Sequence, residues 1–196
     1  MTSDNLVGYD AGYRPQSEIW LWIDSEYVSY FYFSPQNATS WTMPQLSGKW
    51  ITSGFSVADD DYIDAATGIW IKTTDPSEVI FKGQVYSETN ATVNVEAGLN
   101  PISNPFPVEW DIQNFKTLNL TGYDAGYRPQ SEIWLWVDGE YVSYFYFSEQ
   151  NATTWSMPQL SGKWITSGFS PASATVDVGK GFWIKTISDA SLVFTR

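Results

Sequence analysis

The chain alternates short runs of Ile, Val, Tyr, Trp, Phe and Thr with Gly, Pro, Asn and Asp, and no window repeats apolar residues at helical spacing. This pattern predicts β-strands separated by turns along nearly the whole chain. Besides one clear hairpin, it predicts strands at 49–52, 69–73, 79–81, 92–95, 163–166, 182–186 and 192–195. The predicted fold class is all-β, arranged as small β-sandwich or β-barrel units.

The clearest predicted element is a hairpin over residues 131–147, because Asp138-Gly139 readily takes the positive φ angles of a two-residue type I′ turn. That turn places Trp136 opposite Tyr141 and fixes the rest of the register. Alternation then gives one face Ile133, Leu135, Val137, Val142, Tyr144 and Tyr146, and gives the other Glu132, Trp134, Trp136, Tyr141, Ser143, Phe145 and Phe147. Neither face is polar.

Residues 8–56 recur as residues 122–170 with only five differences over 49 positions, namely Ile23/Val137, Ser25/Gly139, Pro35/Glu149, Ser40/Thr154 and Thr42/Ser156. A looser match continues toward residue 196. We therefore predict two tandem β units related by an internal duplication, with an incomplete first repeat at 1–82 and a complete second repeat at 83–196.

The first repeat is predicted to be truncated or permuted, because residues 83–114 have no counterpart before residue 1. Three interpretations stay open: the chain is cut from a longer array, residues 83–114 complete the first repeat as in a circular permutant, or a neighbouring molecule supplies the missing strands. The last interpretation predicts self-association through β-strand pairing.

Composition narrows the function classes. The net charge of −12 disfavours nucleic acid as a partner, and no apolar run is long enough to predict membrane insertion. With neither His nor Cys, Ser-His-Asp and Cys-His nucleophile systems and the usual histidine-bearing zinc sites are excluded. A carboxylate pair remains as a glycosidase candidate, but Glu132 and Glu140, like Glu18 and Glu26, fall on opposite faces of the predicted hairpin. We predict no catalytic residues, no cofactor and no enzyme activity.

Aromatic residues make up 17% of the chain, and those of the hairpin suit stacking against sugar rings. The predicted ligand-binding residues are Trp20, Trp22, Tyr27, Trp134, Trp136 and Tyr141. Two other interpretations compete: the hairpin lies buried between two layers, or its aromatic face is a contact between copies or molecules.

Three polar or irregular segments complete the pattern. Asp10 and Arg14, with their twins Asp124 and Arg128, are predicted to form an ion pair that braces a Gly- and Tyr-rich loop, with ligand binding as the alternative. The acidic run 59–64 is predicted to be a solvated loop rather than a calcium site, so no metal is expected. Three prolines exclude residues 100–107 from a central strand and predict a shaped loop.

The segments Gly98-Leu-Asn-Pro-Ile-Ser-Asn-Pro-Phe-Pro107 and Gly179-Lys-Gly-Phe-Trp-Ile-Lys185 together resemble a signature of β-rich repeat modules in large secreted bacterial surface proteins. The first repeat departs from it, since it has one glycine before Ile69-Trp-Ile-Lys72 and no Asn-Pro loop. The resemblance implies a secreted, extracellular or cell-surface accessory module with no catalytic residues. We expect a non-catalytic glycan-binding module or, alternatively, a self-assembling structural subunit that shares β-strands between molecules.

Overall fold

The structure is a computed structural model that describes residues 2–4, 6–23, 26–58, 63–80, 84 and 86–195. It is mostly β, which confirms the all-β class, and the strands pair in antiparallel sheets. The strands are β1 Thr2–Asp4, β2 Glu18–Ile23, β3 Glu26–Phe33, β4 Lys49–Ile51, β5 Ile69–Lys72, β6 Glu78–Ile80, β7 Asn90–Val95, β8 Gly98–Ser103, β9 Trp110–Asp111, β10 Phe115–Leu118, β11 Glu132–Val137, β12 Glu140–Phe147, β13 Lys163–Ile165, β14 Thr175–Val176, β15 Gly181–Thr186 and β16 Ala190–Thr195.

The chain forms two compact units. Unit 1 comprises Met1–Asp64 and Ile69–Gln84, and unit 2 comprises Ala65–Gly68 and Val85–Arg196. In unit 1, one sheet has the order β4-β3-β2-β5 and β1 pairs with β6. In unit 2, a larger sheet has the order β13-β12-β11-β15-β8, beside the sheets β10-β16-β7 and β14-β9.

The predicted hairpin register is confirmed. Val137 pairs with Glu140 and Trp136 with Tyr141 in β11–β12, and the corresponding pairs Ile23–Glu26 and Trp22–Tyr27 occur in β2–β3. Asp138 and Gly139 have φ angles of 50° and 90°, as a type I′ turn requires. The corresponding turn residues Asp24 and Ser25 lie outside the described residues.

One face of the β11–β12 hairpin is buried in unit 2, where Ile133 and Leu135 meet Phe182 and Ile184 of β15. Trp110 of β9, Leu192 and Phe194 of β16, and Ile112 of the 3-10 helix Ile112–Asn114 complete this core. In unit 1 the matching face forms a smaller buried cluster of Ile19, Leu21 and Tyr30. The opposite face of each hairpin points away from these clusters, because side chains alternate along a strand.

The predicted loop over residues 100–107 is wrong for its first part, since β8 runs through Pro101 and pairs with β15. The backbone N–H of Ser103 donates to Ala66 O, on the side of β8 away from β15. Backbone N–H groups two residues apart on a strand point to the same side, so the nitrogen of Pro101 faces the same side as that of Ser103. Proline has no N–H there, but the hydrogen bonds between β8 and β15 do not need one at this position. Gly68 passes close to Pro101, where a Cβ would lie 2.5 Å from proline backbone atoms.

Two short helices, α1 Pro35–Ser40 and α2 Glu149–Thr154, occur where the pattern predicted only strands and turns. Each is capped by a serine whose Oγ accepts a hydrogen bond from the backbone N–H of Asn37 or Asn151. A short 3-10 helix follows each of them, at Pro44–Leu46 and Pro158–Leu160. Six residues are too few to show helical periodicity, but a Ser followed by Pro or Glu is a recognisable helix start.

Candidate functional site

The outward face of each hairpin carries a cross-strand set of aromatic and charged side chains, which we name the tryptophan face. In unit 2 it comprises Glu132, Trp134, Trp136, Tyr141, Trp183 and Lys185, and in unit 1 Glu18, Trp20, Trp22, Tyr27, Trp70 and Lys72. The set spans three strands because Trp134 pairs with Trp183 and Glu132 pairs with Lys185 across β11 and β15. The same pairs recur between β2 and β5.

The exposed part of this face in unit 2 is an edge-to-face pair of rings. The centroids of Trp136 and Tyr141 are 4.7 Å apart with an interplanar angle of 71°, and the residues are 61% and 46% exposed. The Tyr141 hydroxyl accepts a hydrogen bond from Trp183 Nε1 at 3.2 Å. In unit 1, Trp22 and Tyr27 have the same 4.7 Å separation at 69°. The rings are therefore held in fixed orientations while they stay accessible to a ligand.

An ion pair orients the inner tryptophan of each face. Glu132 accepts from Lys185 Nζ at 2.9 Å through Oε1 and from Trp134 Nε1 at 3.1 Å through Oε2. Glu18 makes the same two contacts, to Lys72 and Trp20. Both carboxylate oxygens are thus occupied by partners within the protein, so this glutamate acts as a positioning residue for the tryptophan ring.

The other end of the outward face is covered by a small second layer. Phe147 and Ile165 pack there against Ala152 of α2 and Leu160 of the following 3-10 helix. Asn151 joins this layer to the preceding loop, since its amide accepts from Tyr123 N at 2.8 Å and donates to Tyr123 O at 2.9 Å. The layer covers the end of the face away from the hairpin turn, whereas Trp136 and Tyr141 next to the turn are exposed.

A second group of rings, which we name the loop cluster, lies on this layer. It comprises Tyr123, Tyr127, Trp155 and Phe169 in unit 2, and Tyr9, Tyr13, Trp41 and Phe55 in unit 1. Trp155 is central: its ring centroid lies 5.3 Å from Tyr123, 4.9 Å from Tyr127 and 5.8 Å from Phe169. Tyr127 is 70% exposed and therefore forms the outer part of the cluster.

The predicted ion pair beside this cluster is confirmed in both units. Arg128 Nη2 lies 2.7 Å from Asp124 Oδ2, and Arg14 lies 2.8 Å from Asp10. Asp124 Oδ1 also accepts from the backbone N–H groups of Gly126 and Arg128. These hydrogen bonds, first that of the Arg128 backbone and then that of its guanidinium, lower the pKa of Asp124, and the same causes act on Asp10. The pair closes the loop and neutralises its charge.

Tyr123 of the loop cluster is influenced by the charge of Glu132 on the tryptophan face. Burial, together with the negative charge of Glu132, raises the pKa of Tyr123 to about 12, and burial with the charge of Glu18 raises the pKa of Tyr9. The Tyr123 phenol therefore stays neutral further into the alkaline range than an ordinary tyrosine. Its ring packs between Phe145 and Trp155.

A metal site, a catalytic carboxylate pair and a membrane-spanning helix have less support in the described part of the chain. No group of three His, Cys, Asp or Glu side chains there is placed to hold a metal ion, and residues 59–62 of the acidic run lie outside it. The confirmed register places Glu132 and Glu140 on opposite faces of the sheet. No helix among the described residues is long and apolar enough to span a membrane.

All six predicted ligand-binding residues lie on the tryptophan faces. Trp136, Tyr141 and Tyr27 are exposed, whereas Trp20, Trp22 and Trp134 are half-buried. Sequence reasoning missed Trp183 and Trp70, although both strands that carry them were predicted, because local sequence does not specify how distant strands pair. It also missed the loop cluster, whose only sequence signal is an aromatic residue after each loop glycine.

Comparison of the chain with protein-family models, with curated proteins and with solved structures gives no match.

Proposed function

We propose that the chain is a non-catalytic extracellular surface module that binds glycan through its two tryptophan faces. The observation that carries this proposal is the exposed, edge-to-face pair Trp136 and Tyr141, which is repeated as Trp22 and Tyr27. Rings fixed in this way suit stacking against the apolar faces of sugars. Two such faces on one chain would raise the avidity for a polymeric ligand above the affinity of either face.

The architecture within this proposal is a duplicated β module, of which unit 1 lacks counterparts of β7, β8 and β9 in its described part. The near-identity of residues 8–56 and 122–170 supports it, as do the matching strand registers. The extracellular bacterial setting rests on the resemblance of residues 98–107 and 179–185 to repeat modules of secreted surface proteins. The occupied carboxylate of Glu132 supports the non-catalytic interpretation.

The test replaces the edge-to-face ring pair in both units, as Trp22→Ala/Tyr27→Ala with Trp136→Ala/Tyr141→Ala. Val178→Ala is the matched control, because Val178 is an exposed apolar residue of unit 2 outside the tryptophan face. Affinity electrophoresis in gels that contain soluble β-glucan, xylan, mannan or glycol chitin measures binding. We expect retardation of the wild type and the control by at least one polymer, and none of the four-residue variant with its circular dichroism unchanged.

Two results would contradict this proposal. Migration of the wild type unchanged in every polymer would remove its basis, and retardation of the variant equal to that of the wild type would move binding elsewhere. A reducing-end assay on the same polymers tests the non-catalytic assignment, which release of reducing ends would overturn.

A second candidate function is self-assembly by strand pairing at β5. In unit 2 the corresponding strand β15 pairs with β8 on its far side, whereas β5 ends its sheet in the described part of unit 1. Ile71 in β5 is 42% exposed, although its counterpart Ile184 is fully buried. Edge strands of this kind pair readily with other chains. The expected partner is β5 of a second copy, since antiparallel pairing of identical strands gives a closed two-fold dimer.

Analytical ultracentrifugation across a wide concentration range tests this second candidate. Self-assembly predicts concentration-dependent association that is lost in Ile71→Lys, because edge lysine opposes strand pairing. Ile187→Lys, at an exposed isoleucine of unit 2, is the control and should associate like the wild type. A monomer at all concentrations would exclude strand pairing and leave glycan binding alone.

A further inference from the structure

Three residues other than glycine have positive φ angles around Trp155. They are Tyr127 at 61°, Ser156 at 56° and Phe169 at 55°, and their unit 1 counterparts Tyr13, Thr42 and Phe55 have 60°, 57° and 59°. Side chains with a Cβ are strained in this region, and bulky ones most of all. Such strain persists where the surroundings impose it, and it concentrates at functional sites.

The two strained aromatics occupy the same place in two similar turns. In one turn the N–H of Tyr127 donates to Asp124 O, and in the other the N–H of Phe169 donates to Thr166 O. A glycine precedes each aromatic, at Gly126 and Gly168. Glycine is the residue that usually occupies the left-handed position of such turns. The aromatic residue is there instead, in both turns of each unit.

Packing does not account for Tyr127. The residue is 70% exposed, and its ring is tilted by 37° to the ring of Trp155 at 4.9 Å, so little apolar area is buried in return for the strained backbone. Phe169 differs, because it stacks on Tyr123 at 5.8 Å and is 39% exposed. The tyrosine therefore presents a ring to the solvent that the fold itself hardly uses.

The loop cluster and the open end of the tryptophan face lie at opposite ends of one sheet face. Trp136 is next to the hairpin turn, whereas Phe145 pairs with Glu132 four residues further along β11, about 13 Å away at a strand rise of about 3.3 Å per residue. Tyr123 continues the path, with contacts to both Phe145 and Trp155. That separation exceeds the width of one sugar ring.

We infer that Tyr127 with Trp155, and Tyr13 with Trp41, form a second stacking contact in each unit, and that the ligand is an extended polysaccharide chain that contacts both ends of the face. This inference rests on the proposed glycan binding. The local charge favours a neutral chain, because the Asp124–Arg128 ion pair beside Tyr127 is closed. Simultaneous contact at two points makes affinity depend on chain length.

The test is the pair Tyr13→Gly and Tyr127→Gly in one chain, which removes both rings and relieves the strained backbone. Calorimetric titration uses disaccharides and hexasaccharides of the polymer that retards the wild type. We expect hexasaccharide affinity at each unit to fall roughly two- to tenfold, with disaccharide affinity at the tryptophan face unchanged. Because the glycines release strain, Tm should hold or rise by about 2 °C.

The matched control is Thr42→Gly with Ser156→Gly, which relieves the backbone beside the same tryptophans without removing a ring. It should keep wild-type affinity for both ligands. A fall in Tm of several degrees for the tyrosine variant would show that the rings are structural and overturn the inference. Equal losses of affinity for both ligand lengths would overturn the spanning geometry.

The two proposals fail in different ways. If the wild type binds a glycan and binding is abolished in the four-residue variant Trp22→Ala/Tyr27→Ala/Trp136→Ala/Tyr141→Ala while the tyrosine variant binds normally, only this inference is wrong. If the wild type binds none of the polymers, the proposed function fails and this inference fails with it.

Discussion

Units 1 and 2 contain nearly the same hairpin in the same register, yet they bury it to different depths. Ile184 in β15 is fully buried, whereas Ile71 at the matching position of β5 is 42% exposed. Trp164 is buried, while its counterpart Trp50 is only half-buried. The shared sequence therefore specifies the local structure and the outward face. The depth of the core depends on strands that lie outside the shared segment.

Those strands come from residues 90–111. In unit 2, β7 pairs with β16, β8 with β15 and β9 with β14, and Trp110 of β9 enters the core beside Phe182 and Phe194. In the described part of unit 1, the sheets consist of β4-β3-β2-β5 and β1-β6 alone. The comparison predicts that stability is distributed unequally between two units with nearly the same hairpin.

The largest effect is expected from Trp110→Ala. Trp110 is 2% exposed, and truncation of such a residue costs about 3–5 kcal/mol because the cavity only partly collapses. Hydrogen exchange measured by mass spectrometry should show decreased protection in unit 2 with unit 1 unchanged. Peptides that include Ile23 or Val137, or Pro35 or Glu149, distinguish the two units. An equal decrease of protection in both units would contradict the unequal distribution of stability.

The next effect compares matched isoleucines. Ile184→Ala should cost about 2–5 kcal/mol, because it removes a fully buried side chain, whereas Ile71→Ala should change stability by no more than about 0.5 kcal/mol. Urea unfolding followed by tryptophan fluorescence measures both. Similar destabilisation by the two substitutions would mean that Ile71 is covered in solution, as strand pairing at β5 requires. The same experiment at high protein concentration therefore also tests that pairing.

Part of the fold and of the candidate site could be predicted from local sequence, and part of them could not. Asp138-Gly139 predicted the hairpin register, and apolar runs predicted most strands, because turn chemistry and alternation are local. Strand β8 can include Pro101 because the proline nitrogen, which carries no N–H, faces away from β15. The local sequence does not indicate that direction, because it depends on the order of strands in the sheet. The strained Tyr127 was missed for a related reason, since the turn pattern favours glycine at that position. Pairings between distant strands, such as Trp134 with Trp183, leave no local signal.

A smaller difference separates two matched serines. Ser17 and Ser131 are each 1% exposed, but Ser17 Oγ accepts from Val7 N at 3.2 Å, whereas Ser131 Oγ has no hydrogen-bond partner within the described part of the protein. Ser17→Ala should cost about 1 kcal/mol, and Ser131→Ala should be neutral or stabilising by up to about 1 kcal/mol, since it removes a buried unsatisfied hydroxyl. The same urea experiment measures both. Destabilisation by Ser131→Ala equal to that by Ser17→Ala would show that Ser131 has a partner, such as a bound water.

A final difference in stability, confined to alkaline pH, is expected at Tyr123 and Tyr9. Burial raises the pKa of Tyr123 from 10.0 to about 12, with a further contribution from Glu132, and the pKa of Tyr9 is raised by burial and Glu18. Because the folded pKa lies above the unfolded one, the stability from the neutral phenol is complete below pH 10 and is lost as pH rises through about 12. Tyr123→Phe cannot ionise, so we expect it to lose less stability than the wild type over that window in urea unfolding. Tyr9→Phe should act in the same direction, which makes this a property that the two units share despite their unequal cores.

Parallel losses of stability for the wild type and Tyr123→Phe would show that Tyr123 is hydrated in the folded protein. The support that Tyr123 gives to Trp155 and Tyr127 would then be weaker than the geometry indicates.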